Sequence, residues 1–126
     1  CVNPVLAHDF SDCGSTTFIA TSLTISPDPA IKGKDVTVTL IGNLLSGATF
    51  PKTIETTIQY GTYPYTMTDD FCKLDTYSCT QNSNITLVKT MGLPRITASG
   101  SYDAKLVSYD ADESIAGCVI SSVDVK

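Results

Sequence analysis

Apolar and polar residues alternate with a period of two in three stretches of the chain, and that rhythm restricts the fold more than any other feature. Val36, Val38 and Leu40 alternate with Thr37, Thr39 and Ile41; Ile54, Thr56, Ile58 and Tyr60 alternate with Glu55, Thr57 and Gln59; Tyr102, Ala104 and Leu106 alternate with Asp103 and Lys105. Successive side chains of an extended strand point to opposite faces, so the pattern describes half-buried antiparallel strands. Turn-forming clusters punctuate the chain at Pro27-Asp28-Pro29, Lys32-Gly33-Lys34, Ser46-Gly47, Gly92 to Pro94, Ser99-Gly100 and Ala111-Asp112-Glu113. No apolar stripe of helical period is present, so helix is expected to be minor. About seven or eight short strands at this spacing predict an all-β fold, an immunoglobulin-like β-sandwich of two antiparallel sheets. The sequence holds no tryptophan, which argues against an antibody-type domain.

Composition removes several function classes. A chain of 126 residues makes one domain, and 42% hydrophobic with 17% charged residues suits a globular core. No apolar run approaches the roughly 18 residues that span a bilayer. The net charge is −5 and the eight Lys and Arg residues are scattered along the sequence, whereas nucleic-acid binding needs a basic face. Nothing reads as catalytic. Ser/His/Asp chemistry would have to use His8, the only histidine, and no Gly-x-Ser-x-Gly elbow exists. Asp69-Asp70 and Asp110-Ala111-Asp112-Glu113 read as solvated acidic loops, since neither follows a calcium-loop ligand pattern. No phosphate-cradling glycine loop is present. No enzyme activity, metal or cofactor is expected.

Five cysteines in so short a chain point to an oxidising compartment. Zinc is the competing explanation, but there is no Cys-x-x-Cys pair, and structural zinc sites recruit four Cys or His ligands at tight spacing. Any four cysteines allow three pairings, so the connectivity stays open at this level. The numbering begins at Cys1 without a basic, apolar leader, as expected of a chain counted from its mature start. Asn84-Ile85-Thr86 is a glycosylation sequon. Together these place the chain outside the cell or in an endosomal or lysosomal lumen.

The order of landmarks carries a family resemblance. Phe10-Ser11-Asp12-Cys13-Gly14-Ser15 is followed by Leu23-Thr24-Ile25-Ser26-Pro27-Asp28-Pro29, a break ending the first strand. A short Cys72-to-Cys79 loop lies mid-chain, and Tyr102 and Leu106 lead through an acidic turn to Cys118. From about Asp12 to Val125 the chain resembles the ML family of secreted lipid-recognition domains, which includes the Niemann–Pick type C sterol carrier, the ganglioside activator and fungal phosphatidylglycerol/phosphatidylinositol transfer proteins. The resemblance implies a single lipid-binding domain over residues 1–126, with disulfides Cys13–Cys118 and Cys72–Cys79. Cys1 is then left over, free to link a second chain of an otherwise monomeric protein. The sterol carrier's extra cysteine pair near the Ser-Pro turn has no equivalent here, where Asp28 and Ala30 stand.

In that family the sheets splay and the interior holds a lipid's hydrocarbon part. The resemblance thus implies that Val36, Val38, Leu40, Ile54, Ile58, Tyr102 and Leu106 face an apolar cavity. Tyr60-Gly61-Thr62-Tyr63-Pro64-Tyr65-Thr66-Met67, with Phe71 beyond it, offers amphipathic rings and an adaptable thioether suited to a pocket mouth. Met91, Leu93 and Ile96 form a second apolar rim. The bland readings are a filled core and an ordinary aromatic edge strand. The Gly61-to-Cys72 segment looks closest to the phospholipid-transfer branch, and Leu93-Pro94 through Tyr102 is similar to the ganglioside activator. The expected function is lipid binding and transfer, with phospholipid as ligand, sterol or glycolipid as alternatives, and transient contact with membranes. A recognition module for a protein or glycan, with a filled interior and an exposed tyrosine patch at Tyr63 and Tyr65, is the alternative from another class.

Overall fold

Two antiparallel sheets face each other in the computed structural model, which describes residues 8–60, 62–80 and 84–126, the side chains of Tyr60 and Tyr63 excepted. Cys1 lies outside the described residues. Eight strands run in chain order: β1 (Ser11–Asp12), β2 (Phe18–Ser26), β3 (Asp35–Leu44), β4 (Thr53–Tyr60), β5 (Tyr63–Asp70), β6 (Ile85–Gly92), β7 (Gly100–Tyr109) and β8 (Ile115–Val125). Among the described residues a single short helix, α1 (Phe71–Leu74), follows β5. The larger sheet has the order β1-β8-β7-β4-β5, and the smaller has β2-β3-β6. The strands read from the alternation correspond to β3, β4 and β7, which begin one or two residues before it; β3 and β7 also run three residues past its end.

Register decides which side chains face inward. Val38 opposes Lys89 and Leu40 opposes Leu87 across β3 and β6. Ile58 opposes both Tyr65 and Ala104, and Thr56 opposes Met67 and Leu106, so these residues share one face of the larger sheet. The turn from β7 into β8 closes where Asp110 and Ser114 exchange backbone and side-chain hydrogen bonds.

The interior is packed as two clusters rather than one. The larger gathers Phe18, Leu23, Leu40, Leu44, Ile54, Phe71, Ile85, Leu87, Leu106, Ala116 and Val119. The smaller gathers Ile25, Ala30, Val36 and Val125, with Met91, Leu93, Tyr102 and Val123 against it. Phe18 is the centre of the first. Its ring meets that of Phe71 edge-on, 5.3 Å between centroids. It also fills the space over two glycines, one from each sheet. A β-carbon on Gly42 would lie 2.8 Å from the Phe18 ring, and one on Gly117 would lie 2.9 Å from it. Only glycine permits so close an approach.

Both expected disulfides are present. Cys13 joins Cys118 across a sequence separation of 105, tying the segment after β1 to β8, and Cys72 joins Cys79 across a separation of 7. Cys13 also donates its backbone N–H to the Cys118 carbonyl at 3.0 Å. His8 fastens the chain's beginning across the sandwich. Its Nδ1 lies 2.7 Å from Asp28 Oδ2 and its Nε2 bonds the Ser122 carbonyl. Both partners only accept, so both ring nitrogens must donate, which requires the imidazolium. Burial lowers its pKa, but the hydrogen bonds to Asp28 and Ser122 and the charges of Asp28 and Asp9 outweigh this and raise it.

Three outcomes are expected. Replacing both cysteines of the Cys13–Cys118 pair by serine should cost about 4–5 kcal/mol, against about 2 kcal/mol for the Cys72–Cys79 pair, because loop-closure entropy grows with the loop; urea denaturation of the two double variants checks the order. Gly117→Ala should overpack the Phe18 contact and cost about 1–3 kcal/mol, read as a lower denaturation midpoint at unchanged slope. A histidine whose folded pKa is raised adds stability that is full below its ordinary value of 6.5 and lost as pH rises through the folded value. Melting temperature should therefore fall over that window in the native chain, and His8→Gln should remove that component.

Candidate functional site

Between the two core clusters lies a cavity of about 50 Å³. Strand β3 shows how it arises. Val36 belongs to the smaller cluster and Leu40 to the larger, and Val38, between them, touches both. The cavity occupies this joint. Its apolar walls come from Leu23 and Ile25 of β2, Val38 and Leu40 of β3, Ile54 and Ile58 of β4, Leu87 and Met91 of β6, Ala104 and Leu106 of β7, Val123 of β8 and Leu74 of α1. Thr56, Ser121 and Lys89 are the polar members. The volume exceeds the roughly 30 Å³ share of one water but is far below the roughly 300 Å³ of a small ligand pocket. An acyl chain therefore requires the sheets to move apart.

The flank between β5 and β6, both edge strands, is one of the two along which the sheets can part, and the cavity's charged residue lies on it. Near α1 it is closed by backbone: Asp75 forms a β-bridge with Leu87, and Thr76 N–H donates to the Thr86 carbonyl at 3.0 Å. The buried Asp75 carboxylate also accepts from the backbone N–H groups of Tyr77 and Cys79, which fixes the disulfide loop beneath. One step further along, Lys89 Nζ of β6 donates to Asp69 Oδ1 of β5 at 2.9 Å. Beyond that pair lie Met91 on β6 and Met67 and Tyr65 on β5, the last 65% exposed.

Six of the residues expected from the sequence line the cavity: Val38, Leu40, Ile54, Ile58, Met91 and Leu106. Met67 is half-buried and Tyr65 exposed on the same face as Thr56 and Ile58, at the flank. Val36, Leu93 and Tyr102 belong instead to the smaller cluster, where the Tyr102 hydroxyl donates to the Ala98 carbonyl at 2.7 Å. Phe71 is fully buried against Phe18, away from the cavity wall. Ile96 is 95% exposed in the loop after β6. The side chains of Tyr60 and Tyr63 lie outside the described residues. Asn84 of the sequon is exposed. Reading the sequence missed Leu23, Ile25, Thr56, Leu74, Leu87, Lys89, Ala104, Ser121 and Val123. A period-2 signal was available for several of them, in Leu23-x-Ile25 and in Ile85-x-Leu87-x-Lys89-x-Met91.

Basic residues that are scattered in sequence come together at the smaller-cluster end. Gly33 N–H donates to the Leu93 carbonyl and Leu93 N–H to the Lys34 carbonyl, while Lys32 N–H donates to Lys126. This places Lys32, Lys34, Arg95 and Lys126 on adjoining segments, with Ile96 and the exposed Ile31 among them. Among the described residues, no group of three or more His, Cys, Asp or Glu side chains is placed to hold a metal. No helix among them is long and apolar enough to cross a membrane.

Comparison with solved structures finds a Niemann-Pick type C2 protein from Japanese carpenter ant, with a TM-score of 0.70 and 18% identity over 94% of this chain and 99% of that one. Identity this low speaks for the fold, an ML-type β-sandwich. No curated protein sequence matches the chain significantly. Residues 7–125 match the model of the ML domain, nearly the whole length, and the chain therefore belongs to the ML domain family.

Proposed function

We propose that this protein binds and transfers lipids, holding the hydrocarbon part of a phospholipid between its sheets while the head group stays at the β5–β6 flank. The observation that carries this reading is the under-packed joint between the two core clusters, walled by twelve apolar side chains and three polar ones. A core evolved only for stability gains by filling such a gap, since each void costs dispersion contacts. An apolar ligand supplies those contacts instead. Each CH₂ taken out of water contributes about 0.8 kcal/mol, so an acyl chain offsets a moderate opening cost without specific polar recognition.

Sterol is the second ligand class for the same site, and the likeness in fold to a Niemann-Pick type C2 protein is compatible with it. The two disulfides and the exposed Asn84 support a secreted or lysosomal setting. Membrane contact is favoured at the end where Ile96 projects beside Arg95 and Lys34, because an apolar tip flanked by cations suits an anionic surface. One observation favours the recognition-module reading: Tyr65 is exposed and the cavity is narrow, as expected of a sandwich that meets its partner on the outside.

Organic extraction of the purified protein followed by mass spectrometry should release phospholipid in near-stoichiometric amount, and delipidated protein should take fluorescent phospholipid from vesicles. Ile58→Trp, which blocks the wall facing Tyr65, should lower uptake severalfold while costing less than the roughly 1–3 kcal/mol of overpacking a solid core. Lipid-free extracts together with no uptake would reject the proposal in favour of the recognition module. A large stability loss with uptake retained would show that Ile58 sits in closed core.

A further inference from the structure

The cavity contains one charged group among its described lining residues, Lys89. Its place in β6 opposite Val38 fixes its side chain on the inner face, in phase with Leu87 and Met91. An ammonium in apolar surroundings needs a partner, and Asp69 supplies it at 2.9 Å from the facing edge strand. Both side chains keep some exposure, 29% for Lys89 and 22% for Asp69, so the pair stands where the cavity meets water. The carboxylate is only half satisfied. Asp69 Oδ1 accepts from Lys89, whereas Oδ2 is buried with no hydrogen-bond partner among the described residues. A buried polar atom left unpaired is a cost carried by the closed form.

We propose that Lys89 is the head-group anchor of the cavity, and that the site selects lipids carrying an anionic oxygen group, carboxylate or phosphate, beside an apolar chain. This inference rests on the lipid-binding reading above. The ligand's anion replaces Asp69 on the Lys89 ammonium, and the charge inside the cavity remains compensated throughout. Asp69, released, turns its two oxygens to water, which ends the penalty on Oδ2. The same exchange removes the one side-chain tie between β5 and β6 seen among the described residues of this stretch, so head-group capture and widening of the flank are one event. An uncharged head group provides no such exchange. It either leaves the latch closed or strips Lys89 of its partner, which is costly for a desolvated charge. The selectivity is therefore built as much against neutral lipids as for anionic ones.

The test uses the full chain with competitive displacement of an apolar fluorescent probe at pH 8. The competitors are a long-chain fatty acid, the alcohol of the same chain, and the corresponding alkyl phosphate. The native protein should bind the acid, the phosphate or both about tenfold or more tightly than the alcohol, as a charge-assisted hydrogen bond allows. Lys89→Met keeps the length and apolar volume of the side chain and should bring that ratio close to one with alcohol binding retained. Lys89→Arg should preserve the ratio, and Asp69→Asn, which removes the competing carboxylate charge, should raise it. The comparison of acid with phosphate tells which head-group chemistry the site takes. A ratio unchanged in Lys89→Met, or an equal loss for charged and neutral competitors, would show Lys89 to be only a strap and overturn the inference. Equal binding of all three by the native chain would overturn it while leaving lipid binding intact, and binding of none would remove both.

Discussion

The sandwich depends on the Phe18 ring held between Gly42 of the smaller sheet and Gly117 of the larger. Both glycines surrender their side chains so that one aromatic side chain can touch the backbone of both sheets, and Phe71 completes the contact from the side. The strength of this arrangement lies in its location. It sits at the end of the interior where β3 ends, where Ala116 and Ile85 are also fully buried and the Cys13–Cys118 bridge is near in β8. That end is closely packed, and opening it would separate Phe18 from both glycines and from Phe71. The opposite end is held differently, by backbone hydrogen bonds between the segments around Ala30, Lys34, Leu93 and Lys126 and by the small cluster of Val36 and Val125. What remains between two fixed ends is the middle, and the middle is where the apolar gap lies.

A sandwich so pinned has few ways to widen. The β2 side is tied to β8 by backbone, since the N–H groups of Thr16 and Thr17 both donate to the Ala116 carbonyl. Among the described residues the β5–β6 side has no ladder across it beyond the Asp75–Leu87 bridge, because each of those strands ends its own sheet. Separating them past that bridge takes apart one half-buried ion pair, Lys89–Asp69, and no further backbone ladder among the described residues. Widening on the β2 side would break the bonds of Thr16 and Thr17 to Ala116 and those joining Ala30 to Asp124 and Lys126, each net about 0.5–1.5 kcal/mol. The cavity of about 50 Å³ is therefore compatible with the lipid carriage proposed above, which would have the sheets part along this flank.

Much of the architecture was legible because a period of two is a property of the chain alone. The alternation in 36–41, 54–60 and 102–106 marks strands whichever neighbours they acquire, and the turn clusters mark their ends. The cavity wall was half legible for the same reason. Inner-face residues are visible, but whether an inner residue packs into a cluster or borders a gap depends on the facing sheet. Val36 and Val38 are alike in sequence and differ only in what opposes them. Phe71 stood next to a tyrosine-rich run and read as rim, but the chain turns into α1 at that residue and rotates the ring inward onto Phe18. Lys89 was invisible because a charge in the apolar phase of a strand reads as the strand's end. Asp69, beside Asp70, reads as a wet loop. Their pairing is an event in space between two edges, about twenty residues apart in sequence, and no local pattern announces it.

The same separation between local rule and spatial outcome bears on how far kinship reaches. A structural neighbour at 18% identity keeps the sandwich because strand period, turn placement and a few close contacts suffice to specify it. None of these constrains what borders the gap. On the lipid-binding reading proposed above, ligand choice falls to the few side chains that border the gap, where a change disturbs the frame least. In this chain one of the side chains that border the gap, Lys89, carries a charge. An ammonium in the apolar phase of β6 is unfavourable for packing and unhelpful to the strand, and the half-satisfied carboxylate facing it offsets only part of that cost. Residues that weaken the empty state are most easily understood through the state in which the cavity is filled.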